Sequence, residues 1–129
     1  MSKSPLVAIV DDDHSIRAGI QDLFRAAGYC ALTFDSAESF LASPLRETVA
    51  CLVTDMRMSG MSGLDLFRSI VATGRGIPTI IITAHVRELT EARARQAGIR
   101  CYLAKPFTPD ELLECVRAAL STSLAGGYP

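Results

Sequence analysis

Val49-Ala50-Cys51-Leu52-Val53-Thr54-Asp55 decides the fold: an uncharged run, rich in apolar side chains, closed by a single acid. Bounded by polar and Gly-rich sequence, such a run reads as a strand buried on both faces, the kind found in parallel sheets. Open parallel sheets bind ligands beyond the carboxyl ends of their strands, which makes Asp55 a candidate site residue. Working outward, Asp11-Asp12-Asp13, Thr83 and Lys105 each end or follow another strand-like run in the same way.

Upstream, Leu6–Val10 is the first strand, halted by the three acids. Ile16, Ile20, Leu23, Phe24 and Ala27 share one face of a following helix, with Asp13 at or beside its N-cap. Gly28 falls at the C′ position, where a left-handed residue is wanted. Cys30–Phe34 is a second, weaker strand, and Ser36 caps a short helix using Phe40 and Leu41 that Pro44 limits. Downstream of Asp55, residues 56–63 are a loop by composition, and Ser62 with Asp65 resembles a capping box. It opens a helix through Leu64, Phe67, Ile70 and Val71. Ile77–Ile82 is the fourth strand, with Pro78 tolerable only near its start. A less apolar helix spans roughly 86–97 and ends at Gly98, and Ile99–Leu103 is the fifth strand. Thr108-Pro109-Asp110-Glu111 combines an N-cap, an N1 proline and an N3 glutamate. The last helix then runs on Leu112, Leu113, Val116, Ala119 and Leu120. Residues 121–129 are Ser/Gly-rich and expected to be loose, so 1–121 reads as the domain and 122–129 as a tail or the start of a linker.

Composition narrows the class. A chain of 129 residues, 49% hydrophobic and 21% charged, is one globular domain by expectation rather than a disordered segment. Its net charge of −1 offers no general attraction to nucleic acid or an anionic membrane surface. No apolar run approaches the ~20 residues of a membrane span, and Leu6–Val10 is too short for a signal peptide. The cysteines at 30, 51, 101 and 115 lack a C-x-x-C spacing. With two in strands and one on a helix they read as buried thiols of a reduced, cytoplasmic protein, and no zinc site is expected.

Five strands alternating with five helices imply an α/β, flavodoxin-like doubly wound (βα)5 fold with parallel strands in the order 2-1-3-4-5. Its switch point, between strands one and three, gathers Asp11, Asp12 and Asp55 in one crevice. Carboxylates so crowded repel by ~4 kcal/mol per contact near 4 Å at an effective dielectric of about 20. Such a site raises one pKa or recruits a hard divalent cation, Mg²⁺ or Mn²⁺. With the cation present, one carboxylate can attack a phosphoryl group in line, and a lysine and a hydroxyl at neighbouring strand ends complete a clamp.

Taken together, these motifs resemble those of response-regulator receiver domains, the phosphoacceptor half of two-component signalling. The matching residues are Val10-Asp11-Asp12-Asp13; Thr54-Asp55-Met56-Arg57-Met58 with Gly60 and Gly63; Thr83-Ala84-His85; and Lys105-Pro106-Phe107, and the match spans about residues 5–120. The resemblance implies a signalling domain rather than an enzyme. Asp55 would accept the phosphoryl group from a phosphohistidine of a sensor kinase. Asp12, Asp55 and the backbone carbonyl of Arg57 would hold Mg²⁺, with Asp11 acting through water. Lys105 would pair with phosphoryl oxygens ahead of a cis bond to Pro106. Thr83 would move to hydrogen-bond the phosphoryl group, and Tyr102 would turn inward as a switch. Output would pass through the face of the helix at 86–97, the fifth strand and the last helix, to a downstream effector or a homodimer partner. Many family members carry proline where this chain has Ser59, which implies a more mobile loop here. The style of Val7–Asp13 and Ser36–Leu41 resembles receivers joined to LuxR-type DNA-binding domains, although no DNA-binding element is present in this segment.

The same residues admit other readings. Asp11-x-Asp13-x-Ser15 also resembles the opening of a haloacid-dehalogenase-type phosphohydrolase, but that reading needs a cap domain and a late acidic pair and leaves Asp55 unexplained. A flavodoxin-like electron carrier needs a hydroxyl- and Gly-rich phosphate loop where three acids stand. A receiver degenerated to a docking module is at odds with the intact acidic set. Singly, a strand-end Asp is usually a cap, which is the reading for Asp13. Tyr102 is equally a half-buried strand aromatic, and His14 and His85 read as exposed loop residues. Arg87, Arg93, Arg95 and Arg100 read either as a solvated face or as part of a partner surface.

Overall fold

The computed structural model describes residues 5–74, 76–84, 99 and 101–124. The helix expected at roughly 86–97 with its Gly98 terminus, His85, and the arginines at 87, 93, 95 and 100 lie outside the described residues.

Strands β1 (Leu6–Val10), β2 (Cys30–Phe34), β3 (Cys51–Asp55), β4 (Thr79–Thr83) and β5 (Cys101–Ala104) make one sheet in the expected order β2-β1-β3-β4-β5. Every pairing is parallel. The described α-helices are α1 (His14–Ala26), α2 (Ala37–Ala42), α3 (Gly63–Ala72) and α4 (Pro109–Leu124), with a 3₁₀ turn at Pro44–Thr48. Because successive strand side chains point to opposite faces, each strand feeds two apolar layers. Val7, Ile9, Cys51, Val53, Ile80 and Ile82 pack one way against Phe24 of α1 and Leu112 and Val116 of α4. Ala8, Val10 and Leu52 pack the other way against Phe40 of α2 and Leu66 and Ile70 of α3. Both faces being covered explains why β1, β3 and β4 carry no charged side chain before their last residues.

The helix ends follow local chemistry. Asp13 caps α1 by accepting the Ile16 N–H, Ser36 caps α2 through Ser39, and Ser62 caps α3 through Asp65. Gly28 sits at φ +95, as its C′ placement requires. Thr108 and Glu111 exchange side-chain-to-backbone bonds at 2.8 and 3.1 Å, a complete capping box for α4.

Where the structure departs from the sequence reading, packing or turn chemistry is the reason. β3 begins at Cys51 rather than Val49, because the Val49 N–H closes the 3₁₀ turn onto the Arg46 carbonyl. β4 begins at Thr79, one residue past Pro78, which has no N–H to give the ladder. β5 runs Cys101–Ala104 rather than Ile99–Leu103. The helix α4 continues to Leu124, through residues whose composition suggested a loose tail. On α3 the buried stripe is Leu66, Phe67 and Ile70, while Val71, expected to face in, is 45% exposed. One residue past Ile70 is about 100° further round the helix, which takes Val71 off the sheet.

The two positions give a direct check on that register. Leu66→Ala is expected to cost about 3 kcal/mol and Val71→Ala less than about 0.5 kcal/mol, read as urea-midpoint shifts at unchanged m-value. Similar costs at both would mean that the helix is rotated from this arrangement.

Candidate functional site

Register alone brings the strand-end residues together. Val10 lies beside Thr54, so Asp11 leaves β1 next to Asp55 at the end of β3. Asp55 pairs with Ile82, and Thr83 pairs with Ala104, so Lys105 leaves β5 beside the end of β4. A slip of one residue in either pairing would turn these side chains to the opposite face.

The three consecutive acids separate into different environments. Asp11 is only 3% exposed; its Oδ1 accepts the Asp13 N–H at 2.9 Å, and its backbone carbonyl accepts Arg17 Nη1–H at 2.7 Å. Asp13 is taken up by the α1 cap, its Oδ1 accepting the Ile16 N–H at 3.0 Å. Asp12 is exposed, and its Oδ2 accepts the Ser59 N–H at 3.1 Å. Asp55 Oδ1 accepts the Met56 N–H at 3.0 Å and lies 3.9 Å from Lys105 Nζ. One carboxylate oxygen from each of Asp11, Asp12 and Asp55 can be chosen so that all lie within 4.8 Å of one another, the one such gathering of acids, thiols or imidazoles among the described residues.

This crowding has an electrostatic cost. Loss of hydration on burial, with the Asp11 charge adding to it, pushes the Asp55 carboxyl up to about 6, although Lys105 pulls the other way. Burial likewise raises Asp11, partly opposed by the Asp13 N–H and Lys105. A single ammonium 3.9 Å away does not offset three carboxylates. The donor set is all oxygen and partly exposed, which fits a hard divalent cation such as Mg²⁺ rather than a thiophilic one.

The other predicted residues lie on β4, β5 and the loops that follow β3 and β5. Thr83 is 1% exposed at the end of β4, and its carbonyl accepts the Lys105 N–H at 2.8 Å. The Lys105–Pro106 peptide is cis, as expected. Arg57 lies exposed in the loop that follows Asp55. Tyr102 is half-buried on β5 and packs with Met56, Phe67, Ile81 and Ile99.

Four contributions were not read from sequence. Gly63 opens α3 so close to the Asp55 backbone that an added Cβ would collide with the Asp55 carbonyl oxygen. Glu38 reaches from α2 to accept the Met61 N–H at 3.2 Å, and a Cβ on Gly60, at φ +83, would stand 2.9 Å from its Oε2. Ser59, expected to loosen the loop, supplies the N–H that Asp12 accepts, which proline could not do. Arg17 straps the β1–α1 turn. Only the glycine spacing carried any sequence signal; the Asp12 and Glu38 contacts join segments distant in sequence, and the Arg17 strap depends on how the β1–α1 turn folds.

Comparison with known proteins bears on the family and the fold. Residues 7–117 match the family model described as the response regulator receiver domain. Nodulation protein W of Bradyrhizobium diazoefficiens is 38% identical over 92% of this chain and 52% of its own length. The C4-dicarboxylate transport transcriptional regulatory protein DctD of Rhizobium meliloti is 36% identical over 92% of this chain and 26% of its own. This chain thus spans about half or less of these curated relatives. Among solved structures, the response regulator StyR superposes with a TM-score of 0.87 at 41% identity, covering 95% of this chain and 62% of that one. A receiver domain protein from Clostridium thermocellum gives 0.86 at 26% identity, covering 95% and 99%.

The raised Asp55 carboxyl predicts a pH-dependent stability in chelator-treated buffer. Unfolded, Asp55 gives up its proton near 3.8; folded, it holds it to about 6, so stability falls as pH rises between the two. Asp55→Asn removes that cost. The variant should exceed wild type by on the order of 2 kcal/mol at neutral pH, with the gap closing at and below about pH 4. Urea unfolding across this range checks it; a gap independent of pH would show that Asp55 is not held in this environment.

Proposed function

The chain belongs to the response regulator receiver domain family, and from that membership we propose that Asp55 is its phosphoacceptor and Asp11, Asp12 and Asp55 its divalent-cation site. The observation that carries the reading is the convergence of these three carboxylates beside Lys105. With a carboxyl near 6, Asp55 is mostly ionised at neutral pH and available as a nucleophile. One of its oxygens attacks phosphorus in line, the bond from phosphorus to the imidazole nitrogen of a sensor kinase phosphohistidine breaks, and an acyl phosphate forms. Bound Mg²⁺, or Mn²⁺ in its stead, supplies positive charge to the phosphoryl oxygens and lowers the repulsion within the acid cluster. Asp12, Asp55 and the Arg57 backbone carbonyl would hold the cation, with Asp11 acting through water. Lys105 neutralises charge that develops on the transferred group, and the Thr83 hydroxyl donates to the product phosphoryl. Water later hydrolyses the acyl phosphate.

The rest of the reading concerns output. Phosphorylation shifts a population of two states that differ at Thr83 and Tyr102. The shift is read on the face of the 86–97 segment, β5 and α4 by a downstream effector or by a second copy of the chain. The domain, expected to end at 121, is taken to run to the end of α4 at Leu124, working in the cytoplasm as a signalling module without membrane or nucleic-acid contacts of its own. Among the described residues no helix is long and apolar enough to cross a membrane. The phosphohydrolase alternative gains nothing from the site, because Asp13, which it needs beside Asp11, serves as a helix cap.

Intact mass after incubation with a small acyl-phosphate donor tests the assignment. Wild type should gain one labile phosphoryl group only with Mg²⁺ present, and Asp55→Asn should gain none. An adduct that survives in the variant would move the nucleophile elsewhere, and Asp11 would be the first place to look.

A further inference from the structure

Between β3 and α3 the chain makes a loop whose neck is closed by the Gly63 N–H donating to the Met56 carbonyl at 2.9 Å. Two N–H groups inside that loop are held by carboxylates from other elements. Asp12, after β1, accepts the Ser59 N–H at 3.1 Å, and Glu38, in the first turn of α2, accepts the Met61 N–H at 3.2 Å. Gly60 lies between the two held positions at φ +83, a conformation that favours glycine. A Cβ there would stand 2.9 Å from Glu38 Oε2, so the carboxylate sits directly against the turn. The two tethers differ in one respect. Asp12 is one of the three clustered acids, so its hold on Ser59 is shared with whatever that cluster binds, whereas Glu38 stands outside the cluster.

We propose that Glu38 is a positioning residue for the cation site: by holding the Met61 N–H from α2, it orders the loop that presents the Arg57 backbone carbonyl before an ion arrives. This rests on the cation site set out under Proposed function, and adds to it a residue that touches neither the ion nor the phosphoryl group. A carbonyl on a loop is a good ligand where the loop is already ordered, because residues frozen on binding subtract their conformational entropy from the affinity. Arg57 lies between β3, which ends at Asp55, and the tethers at Ser59 and Met61. When the cation draws on Asp12, the Glu38 tether is independent of it. The role needs an acceptor of the right reach rather than a charge. A glutamine oxygen can take the Met61 N–H in the same way, while a charge acting on the cluster through space would be weakened by salt. Glu38 also places an acid in the first turn of α2, which favours the helix dipole. That second role is read in the stability of the fold and not in cation affinity.

Mn²⁺ binding to the whole chain, read from loss of the free-ion signal in electron paramagnetic resonance and reversed with Mg²⁺, tests this without a phosphoryl donor. Glu38→Ala should weaken both ions about fivefold, and Glu38→Gln, which keeps the acceptor, should stay within about twofold of wild type. Glu38→Asp keeps the charge and the acid of the first turn but is one methylene short, and should fall with Glu38→Ala; it stands as the second variant if the alanine form folds poorly. Amide exchange at Met61 gives a readout that needs no ion: slow in wild type and Glu38→Gln, faster in Glu38→Ala and Glu38→Asp. Equal affinity in wild type, Glu38→Ala and Glu38→Asp would overturn the proposal. So would a loss confined to the variants without charge, since the effect would then be electrostatic. Wild type that binds no Mn²⁺, or that binds it undiminished after Asp12→Asn, would bring down the cation-site reading and this proposal with it.

Discussion

Asp11 and Asp55 are forced side by side by the parallel register of β1 and β3, in a place where burial has removed much of their water. That enforced proximity of like charges is the constraint on which the rest of the site depends. In response, Asp13 is turned away to cap α1, Arg17 binds the Asp11 carbonyl, and backbone N–H groups of Asp13 and Met56 donate to the carboxylates. Lys105 arrives from the far side of the crevice and compensates only in part. A site left with surplus negative charge, oxygen donors and one nearby ammonium is prepared for a cation and, with it, for a phosphoryl group.

The apolar layers hold this repulsion in place. Each of β1, β3 and β4 is covered on both faces, so the strand ends cannot drift apart without exposing core side chains such as Ile80, Leu52 and Val10. The loops then set the fine geometry. Gly63 lets α3 start against the Asp55 backbone, and Asp12 and Glu38 pin the intervening loop at Ser59 and Met61. Polar chemistry is thus confined to the carboxyl edge, where open α/β sheets leave a crevice.

The thiols occupy the other end of the strands: Cys51 and Cys101 each open the strand whose far end leads to an acid or to Lys105. The half-buried side chains of β5 make it less firmly packed than β4, which is buried along its whole length. An edge strand so placed is more open than β4 to adjustment by a change at Lys105.

Sequence by itself determined the element order, the caps and the candidate acids. These rest on short-range rules: β-branched runs for strands, Ser62, Thr108 and Asp13 for helix starts, Gly28 for a helix end, and an acid after each of two buried strands. Periodicity placed most of the core but not the rotation of α3, where Leu66 rather than Val71 faces the sheet, because both positions are apolar and only packing chooses between them. Tertiary structure alone decided which acid is buried, which one caps a helix and which one takes the Ser59 N–H, since three adjacent aspartates look alike until the chain turns.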